Sequence, residues 1–327
     1  MNILVTGGAG YLGSVLVPML LTHGDRVTVA DICMFGAEGL LPHINNPLFR
    51  LEAGDVRDKH FIQRLFKQSY DAVVHLAALV GEPACSINSV LTKQINVDAT
   101  IELAKKARKQ GVRQFLFSST CSNYGVSSPD ALADETSLLH PQTLYAETKI
   151  AAEKGLLGLS DVSFGVTILR LATLFGLSPK MRFNHLFNEM VRDAWHGKDI
   201  ILYKEEAWRP YTHTTDAARS IMASLEADGK KVFGEIFNIG SDNIQKKTLV
   251  VLVQKYIPKM RLIHEGGTPD NRDYRVSFSK AKKYIGFTPT MSVEKGVKEI
   301  MWSLEHRVWS DPYDTKYSDW LRPDFFK

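Results

Sequence analysis

Three groups of residues in this 327-residue chain have types and spacings that could do chemistry. The first is TGGAGYLG, where Gly7, Gly10 and Gly13 form GxxGxxG directly after the apolar run NILVT. A glycine triplet between a buried strand and a helix suits a dinucleotide. The first glycine permits a tight turn, the second lets backbone approach a pyrophosphate, and the third lets helix pack on strand. The helix N-terminus then faces the phosphates. The second group is LYAETKIAAEK, where Tyr145 and Lys149 stand at i, i+4 and share one helix face. A nearby ammonium favours phenolate, and a phenol so tuned can exchange the proton of a sugar hydroxyl. The third is FSSTCSNYG, residues 117–125, in which hydroxyls flank Cys121 behind a strand-like run.

Two carboxylates extend the first group. Asp31 ends the second strand-like run, where it can accept hydrogen bonds from ribose hydroxyls and repel a 2′-phosphate. No Arg or Lys follows at 32–37, which favours NAD over NADP. Asp55 in GDVRD follows a third strand, placed to cap a helix or to meet the adenine amino group.

Strand-like runs at 2–6, 26–30, 71–77, 114–118 and 163–171 position these groups, alternating with helical patterns at 12–22, 60–69, 92–110 and 143–158. Short apolar runs between amphipathic helices imply a parallel sheet covered on both faces, an α/β Rossmann-type doubly wound sheet. After Leu171 the pattern loosens. It gives a helix at 184–196, strands at 199–203 and 235–240, and helices at 246–256 and 293–306. The division expected is an NAD-binding domain over 1–176, to which 204–241 returns. A smaller C-terminal substrate-binding lobe then comprises 177–203 and 242–327. The aromatic tail at 308–326 is expected to pack on that lobe.

The net charge of +4 is scattered, so a nucleic-acid partner is not expected. Cys33, Cys85 and Cys121 show no CxxC spacing, which argues against a disulfide framework or a metal site and for a reducing cytoplasm. No signal peptide and no apolar run of about 18 residues is evident, so no membrane span is expected.

TGGAGYLG, Asp31, HLAA (75–78), SST…YG (118–125), YxxxK, RPYTHTTDAA (209–218) and DNRDYRVSFSKA (270–281) together resemble the extended short-chain dehydrogenase/reductases. That family includes the nucleotide-sugar epimerases and dehydratases, UDP-galactose 4-epimerase among them. The resemblance implies NAD as cofactor and a nucleotide-diphosphate sugar as substrate. It implies Thr120, Tyr145 and Lys149 as catalytic, with Thr120 on the sugar's 4-hydroxyl. Around the cofactor it places Gly7, Gly10, Tyr11, Leu12, Gly13, Asp31, Asp55, Val56, Leu76, Ala77, Ala78, Asn96, Ser118, Ser119 and Leu171. Around the substrate it places Val80, Cys121, Ser122, Thr173, Asn184, Arg209 and Arg272. The planar forks of the two arginines suit the diphosphate, with Arg182 and Arg275 as weaker candidates. His213 and Asp216 fall in a segment that the family uses to hold the lobe interface. The family's helix pair at 92–110 and 143–158 implies a homodimer through four helices.

The resemblance leaves the reaction open. Where 4,6-dehydratases follow the threonine with Asp-Glu, this chain has Cys121 and Ser122, which disfavours dehydration. Oxidation at C4 followed by epimerisation is the leading expectation. Inversion beside the ketone would need a further acid or base, for which Cys85 and Cys121 are candidates against a simple packing role. Short segments, LVGEPAC among them, also resemble GDP-heptose 4-dehydrogenases, so a C4 dehydrogenase or ketoreductase acting on a GDP-sugar is the alternative. A non-catalytic NAD-binding sensor is a third reading.

Overall fold

The computed structural model describes residues 1–126, 132–266 and 271–318. Its strands are β1 (Asn2–Thr6), β2 (Arg26–Asp31), β3 (Phe49–Ala53), β4 (Ala72–His75), β5 (Gln114–Thr120), β6 (Leu132–Ala133), β7 (Gly165–Leu171), β8 (Thr173–Phe175), β9 (Asp199–Tyr203), β10 (Trp208–His213), β11 (Glu235–Ile239), β12 (Asp242–Gln245), β13 (Arg261–Glu265) and β14 (Arg275–Val276). Seven of them form one parallel sheet in the order β3-β2-β1-β4-β5-β7-β11.

Alternate residues on each strand face opposite helical layers, so the strands are apolar on both sides. Ile3, Val5, Val29 and Leu169 pack with the helices Gly13–His23, Thr214–Glu226 and Ser279–Ile285. Leu4, Val73, Phe115, Phe117 and Ile168 pack with Lys59–Leu65, Thr100–Lys109 and Leu144–Leu157. The strand order reverses at β1, between β2 and β4. Loops at the carboxyl ends of β1, β4 and β5 therefore diverge around a crevice, where ligands of such sheets bind.

The expected helix at 92–110 is in fact three pieces: Ser89–Lys93, a π-wound Gln94–Ala99 and Thr100–Lys109. A single wide turn of this kind re-aims side chains and recurs near functional sites.

A second core gathers Phe175, Phe183, Phe187 and Val191 with Leu249, Val253, Val297 and Ile300. Two segments lie differently from the expected division. The chain leaves the large sheet after Leu171, and β8 then pairs with β10, which pairs with β12. Phe175 and Tyr211 of these short strands thereby join the second core. Conversely, Ala281, Ile285 and Phe287 pack against the large sheet.

Candidate active site

A cleft of about 710 Å³ opens at the carboxyl ends of the large sheet. Every residue expected at the site borders it except Cys85, Asn96, Cys121 and Arg275. At the glycine loop, Gly7 has φ +74°, and a Cβ there would stand 2.6 Å from the Ala77 backbone nitrogen. A Cβ at Gly13 would meet the Gly7 carbonyl oxygen at 2.5 Å. Only glycine permits this close approach of loop, strand end and helix, so the backbone leaves an open cradle against which a pyrophosphate fits.

Asp31 closes one side. Its carboxylate accepts from the Ala9 N–H at 3.0 Å and the Cys33 N–H at 2.8 Å, and burial raises its pKa. Asp55 is held by Arg57 at 2.5 Å. It does not cap the next helix; Asp58 does, accepting from His60 N–H at 2.8 Å. Phe35 and Met34, which sequence reasoning passed over, also border the cleft just beyond Asp31.

Tyr145 and Lys149 project from the Leu144–Leu157 helix, which Thr143 caps by accepting from the Ala146 N–H. Lys149 is buried. Its Nζ donates to the Ser118 carbonyl at 2.8 Å and lies 4.5 Å from the Phe117 ring centre and 5.8 Å from that of Tyr145. Burial pulls its pKa down to about 8. Burial also holds the Tyr145 phenol above its ordinary value. Cys85 adds to that rise, while Arg182 and Arg272 oppose it. The expected lowering of the phenol by Lys149 is not seen: burial sets the direction, and the opposing charges are those of Arg182 and Arg272.

Thr120 ends β5, and its hydroxyl oxygen accepts from the Ser122 N–H at 3.1 Å, capping the 3₁₀ turn Cys121–Tyr124. That turn sends the Cys121 side chain inward. Its thiol donates to the Arg170 carbonyl at 3.1 Å and packs with Tyr124, Ala172 and Tyr274, outside the cleft lining. Ser122 Oγ instead accepts from Arg272 Nη1 at 2.9 Å. Ser119 borders the cleft, but its hydroxyl donates to Glu153. Glu153 forms a buried ion pair with Arg170 at 2.7 Å, and Arg170 also donates to the Tyr124 hydroxyl at 2.9 Å.

Asn96 does not reach the cleft either. It faces Leu79 from the π-wound turn, accepting from the Leu79 N–H at 2.8 Å and donating to the Leu79 carbonyl at 3.0 Å. It shapes the loop after β4. Cys85 is likewise internal, with its thiol 3.5 Å from the Leu79 carbonyl and burial pushing it up to about 12.

Arg182, Asn184, Arg209 and Arg272 border the cleft together. Both polar atoms of the Asn184 amide are buried and have no protein partner among the described residues. An amide of this kind in a cleft shared with three guanidinium groups can receive an anionic ligand. Arg275 is not among the cleft residues; its guanidinium lies 5.2 Å from the Trp208 ring centre. His213 caps the Thr214–Glu226 helix and pairs with Glu299 at 2.6 Å, while Asp216 accepts from the Thr290 and Met291 N–H groups, each at 2.8 Å.

Residues 3–240 match the profile of the NAD dependent epimerase/dehydratase family. The chain belongs to that family. It is an enzyme of nucleotide-sugar chemistry, and the glycine cradle and Asp31 fit NAD, the cofactor the family name carries. It is 33% identical to the UDP-glucose 4-epimerase of Lacticaseibacillus casei, over 93% of this chain and 96% of that one. It is 28% identical to the UDP-N-acetyl-alpha-D-glucosaminuronate decarboxylase of Bacillus cytotoxicus, over 92% and 97%. Its fold matches that of a dTDP-glucose 4,6-dehydratase from Streptomyces venezuelae, solved with NAD, at a TM-score of 0.85 and 26% identity over 95% and 99%. Three relatives with three reactions fix the family and leave this chain's own reaction to its site. No helix among the described residues is long and apolar enough to cross a membrane.

Proposed function

We propose that the enzyme oxidises C4 of a nucleotide-diphosphate sugar and returns the reducing equivalents to the 4-keto sugar, acting as an epimerase. The observation that carries this reading is the convergence of Thr120, Tyr145 and Lys149 with Arg209, Arg272 and the orphan Asn184 amide in one cleft. NAD, when bound, supplies the acceptor for the hydrogen that leaves C4. Thr120 orients the 4-hydroxyl, and Tyr145 takes its proton. Lys149, Arg182 and Arg272 place positive charge around the phenol and favour its ionised form. Asn184, Arg209 and Arg272 hold the diphosphate, which spends remote binding energy on positioning C4. No carboxylate follows Thr120, and Ser122 is engaged by Arg272, which supports epimerisation over dehydration.

Tyr145→Phe is expected to keep the fold and NAD binding while C4 turnover falls about 10²–10⁴-fold, the range for losing a positioned acid–base group. Unchanged turnover of every accepted sugar would overturn the assignment. We also propose a homodimer through the helices at 89–109 and Leu144–Leu157, the first of which leaves Val90 64% exposed. Its three free cysteines suit a reducing cytoplasm.

A further inference from the structure

Among the described residues, three carboxylates border the cleft: Asp31, Asp55 and Glu82. Asp31 ends β2 and Asp55 follows β3, on the far side of β1 from Tyr145, and they are engaged by backbone N–H groups and by Arg57. Glu82 stands apart from them. It opens the helix Glu82–Ile87 in the loop after β4, beside the catalytic helix. Its Oε2 lies 3.5 Å from the Tyr145 N–H, and its Oε1 accepts from Ser86 Oγ at 2.7 Å. It forms no ion pair among the described residues. The other groups near Tyr145 are poor proton carriers. The Cys85 and Cys121 thiols are buried outside the cleft. His185 borders it, but its Nδ1 donates to the Leu174 carbonyl at 3.0 Å, and burial with the nearby Arg182 lowers its pKa to about 3.

We propose that Glu82 is a second acid–base group of this active site, moving the proton on the carbon beside the C4 ketone. The assignment rests on the reading that C4 is oxidised in this cleft. In the 4-keto sugar the neighbouring C–H bonds at C3 and C5 are acidified. The Glu82 carboxylate removes one such proton, and the C–H electron pair becomes the carbon–carbon double bond of an enolate. The carbonyl electrons move onto O4, where Thr120 and Tyr145 stand to hydrogen-bond the developing charge. Return of a proton to the same face restores the sugar with a solvent hydrogen. Protonation on the opposite face gives the neighbouring-carbon epimer. Neither outcome consumes an oxidant or reductant.

The test supplies the ketone ready-made. Enzyme loaded with NAD is mixed in deuterium oxide with a nucleoside-diphosphate 4-keto-6-deoxyhexose, and NMR follows the C3–H and C5–H signals. One of the two is expected to exchange faster than in the protein-free control, and Glu82→Gln to slow that exchange about 10²–10⁴-fold. Glu82→Asp should retain an intermediate rate. Ser86→Ala, which removes the donor to Oε1 but keeps the carboxylate, should retain exchange, separating loss of the base from loss of loop packing. Thermal unfolding and NAD binding check that each variant is folded. Exchange no faster than the control, or equal exchange in Glu82→Gln, would overturn the proposal. Because the ketone is supplied, exchange through Glu82 without C4 oxidation of any sugar nucleotide would sustain Glu82 and sink the C4 reading. C4 oxidation without exchange would do the reverse.

Discussion

At the scale of residues, the chemistry depends on which groups are dry. Lys149 is the clearest case: burial lowers its pKa from 10.5 to about 8. Below pH 8 the ammonium is present and supports the phenolate; as pH rises through 8 the folded protein discharges it. C4 turnover should therefore lose the lysine's contribution on the alkaline side near pH 8. Lys149→Arg, whose guanidinium stays charged, should move that limb upward in a pH–rate profile. Stability should respond in the opposite sense. Between pH 8 and 10.5 the unfolded chain still binds the proton that the folded one has lost. The folded state then gains about 3 kcal/mol across that window, by 1.36 kcal/mol per pKa unit. The glycines, Asp31 and the Tyr145–Lys149 pair were legible in the sequence because their chemistry fixes local spacing. Cys121, Asn96 and Glu82 were not. Cys121 faces inward because Thr120 caps a 3₁₀ turn, Asn96 is aimed by a π-wound turn, and Glu82 depends on the path of a loop.

At the scale of elements, two supports hold the cleft. Glu153 and Arg170, each with a side chain 4% exposed, tie the helix Leu144–Leu157 to β7 directly behind Ser119. Glu153→Gln would leave the guanidinium buried without its counter-ion and should cost about 3–5 kcal/mol in denaturant unfolding. A Glu153→Leu/Arg170→Met double variant should recover much of that, because it removes both desolvated charges together. The second support is the part of the aromatic tail up to Ser318; 319–326 lie outside the described residues. Trp309 and Tyr317 meet Phe183 edge-on at 5.8 and 5.9 Å, and the Phe183 N–H donates to the Tyr317 carbonyl at 2.9 Å. Phe183 lies between Arg182 and Asn184, so the tail anchors the segment that borders the cleft there. Tyr317→Ala should raise KM for the sugar nucleotide about three- to tenfold, the worth of one aromatic pair, with kcat and NAD affinity little changed. A matched loss of kcat would argue against an anchoring role. The large sheet was readable from its alternating runs, whereas β8, β10 and β12 were not. They are three to six residues long and pair partly parallel and partly antiparallel, so no single sequence period marks them.

At the scale of the whole molecule, the cleft lies between the sheet's switch point beside β1, which carries the glycine cradle, and the segment bearing Arg182 and Asn184. If the exposed apolar face near Val90 is the dimer surface, light scattering at micromolar concentration should give twice the 36.7 kDa chain mass, and a monomer mass would contradict it. The central claim, NAD-dependent chemistry at C4 of a nucleotide sugar, is tested most directly by NMR. The purified protein is incubated with NAD and a panel of UDP-, GDP-, CDP- and dTDP-sugars. The prediction is that at least one sugar is converted to its C4 epimer or a product of its 4-keto form, and that Tyr145→Phe stops the conversion. A panel left unchanged at C4, or converted equally well by Tyr145→Phe, would contradict it.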